Sequence, residues 1–395
     1  MRIAVTGMGI ISAIGTSLEE NLYHLKYGVT GITRSENLST RHNGLLFGEV
    51  KFSNEHLARL LGLPADNNFS RTAMLGAYAA QQALENAAVK DINHSRTGLI
   101  SASSVSGMDM TEKYLYDFKE SAEHRKYIDS HHTGNVTHQI AGYIGVKGLV
   151  TTISTACSSS ANAIMMGANL IRTGRLDRVV VGGTDALAKF TVNGFNSLMI
   201  LTDGYNRPFD ANRKGLNLGE GAAYLVLESE TLLKKEDRPV LAYLAGYGNA
   251  NDAYHQTASS ETGEGAFLAM EKALALAGLE PGAISYVNAH GTATVNNDLS
   301  EARALERIFG NQMPDISSTK PFTGHTLAAA GSIEAIYSIL AMKHQLVFPN
   351  LNFQTPMEEV AIQPQQTLKE KKIDFALSNS FGFGGNCSTL IFSKK

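Results

Sequence analysis

Continuous apolar runs alternate with longer stretches of helical period along most of this chain. Residues 178–183 (RVVVGG) and 222–229 (AAYLVLES) are almost wholly apolar rather than apolar at every second position, which is typical of strands covered on both faces. Residues 71–87 and 265–278 are rich in alanine and leucine at helical spacing. This alternation predicts a layered α/β fold, with helices on the faces of the sheet.

The length of the chain and a weak internal sequence repeat predict two related halves. A chain of 395 residues exceeds one ordinary domain, and the charged, proline-containing stretch at 234–239 (KKEDRP) is the best internal boundary. We therefore divide the chain into an N-terminal half, residues 1–236, and a C-terminal half, residues 237–395. Residues 151–171 and 317–340 each form a polar turn that enters a helix of small residues. A duplicated fold with a buried central helix pair requires such residues.

Composition excludes several classes of partner. The formal net charge is −3, so the overall electrostatic potential of the protein does not attract nucleic acid or an anionic lipid surface. Two cysteines cannot build a disulfide framework, which fits a reducing compartment. The N-terminal residues lack the apolar core of a signal peptide, and no apolar run approaches the roughly 18 residues that cross a bilayer. We therefore expect a cytoplasmic protein without a membrane span.

Two patterns that could indicate a cofactor or a metal are incomplete. Residues 5–12 (VTGMGIIS) follow a strand-like run, but Ser12 stands at the third glycine position of a dinucleotide-binding motif. His131 and His132 lack the spacing of a zinc motif such as HExxH. The sequence therefore predicts neither a nucleotide cofactor nor a metal ion.

Cys157 lies where an apolar strand breaks into small residues that begin a helix (TISTACSSSANAIMMG, 152–167). Most intracellular cysteines are small buried hydrophobes, and that interpretation is open here. At a helix N-terminus, however, unpaired N–H groups and the positive end of the dipole lower the pKa of a thiol. The flanking residues are small and polar, unlike a core lining: Thr155, Ser158, Ser159 and Ser160. This context favours a nucleophilic thiolate.

The stretch NAHGTATVNND (288–298) follows a strand-like run in the second half. His290 ends that run, Gly291 allows an immediate turn, and Thr292 and Thr294 would place hydroxyls on one side of the loop. A structural role and a ligand-facing role are equally open for His290.

A second histidine lies in SSTKPFTGHTLAAAG (317–331). His325 is predicted near a helix N-terminus, whose dipole favours the neutral imidazole. A neutral ring can donate a hydrogen bond to developing negative charge. Lys320, in the same stretch, does not by itself indicate a catalytic role, because most lysines are exposed and contribute only to solubility.

Glycines surround two aromatic residues in SNSFGFGGNCS (378–388). Such a loop around Phe381 and Phe383 could bring a backbone N–H to a reacting carbonyl or gate a pocket. A plain glycine-rich turn between two terminal strands explains the pattern equally well.

Four motifs, in this order and at these separations, closely resemble the β-ketoacyl-acyl-carrier-protein synthases of the elongating, Cys-His-His type: TACSSS, NAHGTAT, STKPFTGHT and NSFGFGG. The resemblance also includes VTGMGIISAIG near the N-terminus and RPFDANRKGLNLGEGAA at 207–223. Any one motif is weak, whereas four in register are highly specific. The family implies the thiolase fold: two βαβαβαββ halves in five α-β-α-β-α layers, usually as a dimer.

The resemblance also implies roles for individual residues. The nucleophile of the family matches Cys157, its two active-site histidines match His290 and His325, and its supporting lysine matches Lys320. Phe383 matches the gating phenylalanine, whose N–H shares the oxyanion hole with that of the cysteine. Acidic positions that support the site match Asp298, Glu301 and Glu334, and residues predicted near the substrate are Thr292, Thr294, Phe381, Phe195, Val105 and Met108.

The reaction implied by the resemblance is a decarboxylative Claisen condensation. The Cys157 thiolate would take an acyl chain from the phosphopantetheine of an acyl carrier protein, and malonyl-carrier protein would lose CO2 and attack that thioester. The product would be 3-oxoacyl-acyl carrier protein. No cofactor is expected, because phosphopantetheine arrives on the substrate. The implied partners are the carrier protein and a second subunit, either another copy in a homodimer or a related chain in a heterodimer.

Two departures from the family pattern bear on the partner and the pathway. In relatives, the region near Arg71 carries a denser basic cluster that docks the carrier protein, whereas NNFSRTAM (67–74) offers one arginine. The chain is also slightly short for the housekeeping enzymes. Both leave room for a dedicated enzyme that makes polyenes or other polyketide-like products instead of fatty acids.

Three alternatives compete with the synthase. A thiolase would use a second catalytic cysteine, for which Cys387 is the only candidate, and the paired histidines argue against it. A non-catalytic partner subunit, like the chain-length factors of polyketide systems, should have lost the nucleophile, whereas Cys157 is present. A nucleotide-dependent reductase rests only on the imperfect glycine motif.

Overall fold

The computed structural model describes residues 2–117, 120–236 and 238–394. Its strands are β1 (Ile3–Ser12), β2 (Ile32–Thr33), β3 (Phe47–Gly48), β4 (Thr97–Ala102), β5 (Val150–Ile153), β6 (Arg178–Asp185), β7 (Gly221–Ser229), β8 (Ala242–Asn251), β9 (Tyr286–Asn288), β10 (Asp315–Ser317), β11 (Leu346–Val347), β12 (Lys369–Glu370), β13 (Phe375–Phe381) and β14 (Asn386–Ser393).

The α-helices of these residues are α1 (Leu18–Tyr27), α2 (Asn54–Leu60), α3 (Arg71–Asn86), α4 (Met108–Tyr114), α5 (Thr133–Ile144), α6 (Ser159–Arg172), α7 (Lys189–Ser197), α8 (Glu230–Glu236), α9 (Glu264–Ala277), α10 (Val295–Phe309), α11 (Lys320–Thr323) and α12 (Ala330–His344). Short 3-10 turns occur at Glu123–His131, Pro281–Ala283, Gly310–Gln312, Leu327–Ala329 and Phe383–Gly385.

Ten strands form one hydrogen-bonded sheet in the order β10-β9-β13-β14-β8-β1-β7-β6-β4-β5. The order is symmetric about the antiparallel contact between β8 and β1. From that contact outward, the next two strand pairings on each side are antiparallel, and the last two are parallel. The strands of the two halves therefore correspond one to one, as a duplication requires, and the α/β thiolase fold is confirmed.

Helices lie in three layers around these strands. Helix α3 packs on strands of the first half and α9 on strands of the second, whereas α6 and α12 contact each other and strands of both halves. Every residue of α12 from Ala330 to Met342 is buried, which is typical of a helix enclosed on all sides. The predicted central helix pair is thus α6 and α12, and the arrangement has five α-β-α-β-α layers.

Glycines in β1 and β8 explain the apparent nucleotide motif. A Cβ atom on Gly9 would lie 2.1 Å from the Ala79 carbonyl oxygen of α3, so only glycine lets that helix approach the strand. Gly248 of β8 stands in the same relation to Ala269 of α9, also at 2.1 Å. These glycines serve helix packing, and the same device recurs in both halves.

The four elements predicted from apolar patterning are confirmed, with ends shifted by at most two residues. They are β6, β7, α3 and α9. In the part of the chain that the structure describes, no helix is long and apolar enough to span a membrane.

Ion pairs fix the segment between the two halves. Arg178 donates to Glu228 at 2.6 Å and to Glu236 at 3.1 Å, and Arg238 pairs with both carboxylates. Arg178 and Glu228 are fully buried. The predicted boundary falls partly on Asp237, which lies outside the described residues, but its neighbours do not form a loose linker. We call these four residues the junction cluster.

Candidate active site

One cavity of about 280 Å³ opens at the carboxyl ends of β9 and β13 and at the loop that follows β5. In α/β proteins this edge of the sheet is where ligands bind. The cavity brings together eight of the predicted site residues: Cys157, Phe195, His290, Thr292, Thr294, His325, Phe381 and Phe383. They come from both halves of the chain.

A strained turn presents Cys157 to this cavity. Ala156, the residue before it, has a φ of 53°, a left-handed conformation that non-glycine residues rarely adopt and that is typical of functional turns. The turn is tied to the start of α6, since Thr155 N–H donates to Ser159 Oγ at 2.8 Å and that hydroxyl donates to the Ala156 carbonyl. Cys157 thus lies two residues before the first residue of α6.

The glycine-rich loop packs directly on this turn. A Cβ atom on Gly382 would lie 2.7 Å from the Thr155 carbonyl oxygen and 3.2 Å from the Cys157 nitrogen. The backbone N–H of Phe383 lies on the Cys157 side of the loop and lowers the pKa of the thiol. The Phe383 ring stacks on Phe195, with 5.8 Å between the ring centroids. Two backbone N–H groups, of Cys157 and Phe383, therefore lie beside the sulfur, as an oxyanion hole requires.

The electrostatics of the thiol differ from the sequence-based prediction. Burial raises the pKa of Cys157 to about 12, against the opposing effects of the Lys320 charge and the Phe383 N–H. Only 6% of the residue is exposed, so loss of solvation outweighs the helix N-terminus. The predicted lowering of the pKa is therefore wrong, and the resting group is a neutral thiol.

Alkylation of Cys157 by iodoacetamide should accelerate about tenfold per pH unit from about pH 7 to 10, without a plateau, because only the thiolate reacts. Peptide mass spectrometry on the Cys387→Ala variant measures this rate without interference from the second thiol. A plateau below about pH 8 would contradict the raised pKa and indicate a thiolate stabilised by the helix.

His290 is held by Glu301 from behind the cavity. The Glu301 carboxylate accepts the N–H groups of His290 at 2.9 Å and Gly291 at 2.8 Å, and the Asn379 amide at 3.1 Å. Burial raises the pKa of Glu301 to about 7, although these donors lower it. Asp298 fixes the same loop through the Ala293 N–H, at 3.1 Å. Both acids position the loop and do not line the cavity.

Lys320 lies beneath His290, almost fully buried. Its Nζ is 3.3 Å from His290 Nδ1 and donates to the His290 carbonyl and to Glu334, each at 2.5 Å. Burial raises the pKa of Glu334 to about 7, and the Lys320 charge opposes this. Because the ammonium faces Nδ1, the proton of a neutral His290 lies on Nε2.

The two imidazoles lie edge to face, with 5.4 Å between centroids. Burial and the Lys320 charge hold the pKa of His290 and of His325 well below the usual value. The predicted neutral form of His325 agrees with this, but the cause differs. Helix α12 begins only at Ala330, so burial replaces the helix dipole as the reason.

Other predicted residues lie outside the cavity. Val105 packs in an apolar cluster that also contains Phe195, and Met108 begins α4. Arg71 is 6% exposed and makes a two-pronged ion pair with Glu220, at 2.6 and 2.9 Å. Arg71 therefore belongs to the interior and not to a docking surface.

Several residues of the cavity wall carry no recognisable signal in the sequence. Lys214 lies within the stretch 207–223, and residues 255–259 form another part of the wall; no single-residue pattern marks either. Cys387, considered only for a thiolase, also lines the cavity. Among residues 2–117, 120–236 and 238–394, no group of three His, Cys, Asp or Glu could hold a metal ion.

Both halves of the chain match models of one family. Residues 1–232 match "Beta-ketoacyl synthase, N-terminal domain" and residues 241–354 match "Beta-ketoacyl synthase, C-terminal domain". A 3-oxoacyl-[acyl-carrier-protein] synthase 2 from Vibrio cholerae is 34% identical over 418 aligned residues, which cover 100% of this chain and 99% of that protein.

Solved structures agree with this assignment. The ishigamide ketosynthase/chain length factor is 27% identical, with a TM-score of 0.92 over 100% of this chain and 99% of that one. AntDE:AntF, described as a type II PKS acyl-carrier protein in complex with its ketosynthase bound to the hexaketide, is 27% identical, with a TM-score of 0.88 over 99% of each chain. The chain therefore belongs to the β-ketoacyl synthase family.

Proposed function

We propose that this protein condenses a Cys157-bound acyl chain with malonyl-acyl carrier protein, with loss of CO2. One observation carries the proposal: Cys157, His290 and His325 line a single cavity, and the glycine loop that carries Phe383 packs on the Cys157 turn. A nucleophile, two neutral hydrogen-bond donors and an oxyanion hole are what this reaction needs.

In the first half-reaction, the Cys157 sulfur attacks the thioester carbonyl of an acyl-carrier protein. A bond forms between that sulfur and the carbonyl carbon, and the bond to the pantetheine sulfur breaks. The proton of the Cys157 thiol ends on the departing pantetheine thiol, so the net charge is unchanged. The N–H groups of Cys157 and Phe383 stabilise the oxyanion, each by about 2.7–4 kcal/mol.

In the second half-reaction, malonyl-carrier protein loses CO2, and the electron pair passes into an enolate. Neutral His290 and His325 donate to its oxygen, since neither imidazole carries a charge at neutral pH. The enolate carbon attacks the Cys157 thioester, forming the new carbon–carbon bond and releasing the sulfur, which takes one proton from solvent. Thr292 and Thr294, which also line the cavity, bind the pantetheine arm.

The test is intact-protein mass spectrometry after incubation with a panel of acyl-carrier proteins, followed by addition of malonyl-carrier protein. We expect an acyl adduct on Cys157 that disappears as 3-oxoacyl product forms. The panel also reads out the preferred chain, and thus separates fatty acids from polyene or polyketide intermediates. Absence of any adduct would contradict the proposal.

The proposal includes no cofactor beyond the phosphopantetheine that the substrate brings. We propose that the protein is cytoplasmic, since two free thiols stay reduced in that compartment.

We further propose that a second subunit pairs with the open edge of the sheet at β5, either another copy or a related chain. The carbonyl groups of Leu149 and Ile153 accept bonds from the β4 side. Because backbone groups of alternate residues point to opposite edges, those of Val150 and Thr152 face outward. An uncovered edge of this kind is a template for another strand.

Thr152→Pro should weaken this dimer, because proline removes an outward N–H and leaves the bonds to β4 intact. In a homodimer, two-fold symmetry removes the bond twice, so the dissociation constant should rise about 30-fold; with a related chain one bond is lost, and the rise should be about fivefold. Analytical ultracentrifugation measures it. Thr152→Val is the matched control: it also loses the hydroxyl contact to Thr137 but keeps the N–H, and should remain dimeric. Unchanged association of Thr152→Pro would exclude the β5 edge.

A further inference from the structure

Asn386 connects the two backbone segments that supply the oxyanion donors. Its side-chain oxygen accepts hydrogen bonds from Ser158 Oγ and Asn162 Nδ2, each at 2.8 Å, and from Asn249 Nδ2 at 2.9 Å. Its backbone carbonyl accepts the Gly382 N–H at 2.8 Å. One residue thus contacts the Cys157 turn, the start of α6, strand β8 and the glycine loop.

The Cys157 side of this connection is direct. Ser158 is the next residue after the nucleophile, and Asn162 also donates to Thr155 Oγ1 at 2.9 Å. Both donors therefore link Asn386 to the turn that sets the direction of the Cys157 N–H.

The Phe383 side needs such a restraint. Gly384 and Gly385 have φ values of 81° and 79°, and glycine-rich segments have unusual conformational freedom. Asn386 directly follows them, so its side chain fixes the end of the loop that carries the Phe383 N–H.

We propose that Asn386 is a positioning residue: its side-chain oxygen sets the spacing between the Cys157 and Phe383 N–H groups, so that both reach one acyl oxygen. This inference rests on the proposed function, because it concerns the same oxyanion hole. Asn386 itself does not line the cavity and acts through its hydrogen-bond donors.

The test separates the two half-reactions. Asn386→Leu removes the acceptor at similar volume, and acyl transfer to Cys157 should slow roughly 10–100-fold, as small displacements of donors do. Decarboxylation of malonyl-carrier protein, which uses His290 and His325, should stay within about threefold. Asn386→Asp keeps an acceptor oxygen and should recover acyl transfer to within about tenfold of wild type. Single-turnover mass spectrometry and CO2 release measure the two rates.

The matched control is Asn169→Leu, the same substitution in helix α6, to which the Asn386 partner Asn162 also belongs. Asn169 accepts from Tyr247 at 2.7 Å and does not contact Asn386, so both rates should be unchanged. Wild-type acyl transfer in Asn386→Leu would overturn the inference, as would an equal fall in both rates, which indicates general disruption. If wild-type protein itself forms no adduct while remaining folded, the proposed function fails, and the inference with it.

Discussion

Cys157→Ala is expected to abolish condensation, with a fall in rate of at least about 10⁴-fold, the size of loss seen when a covalent nucleophile is removed. In the proposed reaction the Cys157 sulfur is the acyl acceptor, so no adduct should form without it. Decarboxylation of malonyl-carrier protein should persist, because it requires the two histidines and not the sulfur. Product formation and CO2 release, measured on the same sample, separate these outcomes.

Cys387→Ala is the matched control, because it makes the same substitution in the wall of the same cavity. Its condensation rate should remain within about threefold of wild type, as for a residue outside the reacting groups. Loss of activity in both cysteine variants would instead favour a thiolase-type mechanism. Elongation of acyl chains by Cys157→Ala would show that the nucleophile is assigned to the wrong residue.

Lys320→Met is expected to lower both stability and rate. It leaves the Glu334 carboxylate buried without its cation, which costs about 3–5 kcal/mol of the free energy of unfolding. It also removes the charge that fixes the proton of His290 on Nε2, so decarboxylation should slow about 100-fold. Urea denaturation and CO2 release are the two measurements.

A double variant separates these two effects. Adding Glu334→Leu removes the orphaned carboxylate and should restore most of the stability, because an apolar pair can replace a buried ion pair at little cost. The rate should stay low, since Nδ1 still lacks its partner. Lys369→Met, at an exposed lysine paired with Asp315, is the control and should cost at most about 1 kcal/mol. Recovery of the rate in the double variant would show that Lys320 acts only on stability.

Local patterns in the sequence predict the α/β layers, and they mark the positions of Cys157 and His290, which the structure brings into one cavity. Buried strands such as β6 are apolar throughout, and Cys157 and His290 each stand at the break between an apolar strand and a polar loop. The helix pair α6 and α12 could be found for the same reason, from its small residues.

Properties set by distant contacts could not be predicted in this way. The pKa of Cys157 depends on how deeply the second half buries the thiol, so a local rule about helix ends gives the wrong sign. Arg71 looks like a surface residue until Glu220, far along the chain, is known to face it. The function of Asn386 depends on three donors from two other segments, and no spacing in the sequence marks them.

A missed signal lies in β1 and β8. The sequences VTGMGII at 5–11 and LAGYGNA at 244–250 carry glycines at matching places, and these glycines face alanines of the helix packed on their strand, α3 for β1 and α9 for β8. An isolated glycine pattern suggests nucleotide binding, whereas the repeated one indicates duplication.

The junction cluster has a consequence for building hybrid enzymes. Arg178, Glu228 and Glu236 come from one side of the natural joining point, and Arg238 from the other. A chimaera joined at this point takes Arg178, Glu228 and Glu236 from one parent and Arg238 from the other. Its buried charges stay paired only if both parents carry the same junction cluster. Crossover sites that keep the whole junction cluster within one parent should therefore give a larger fraction of hybrids that fold.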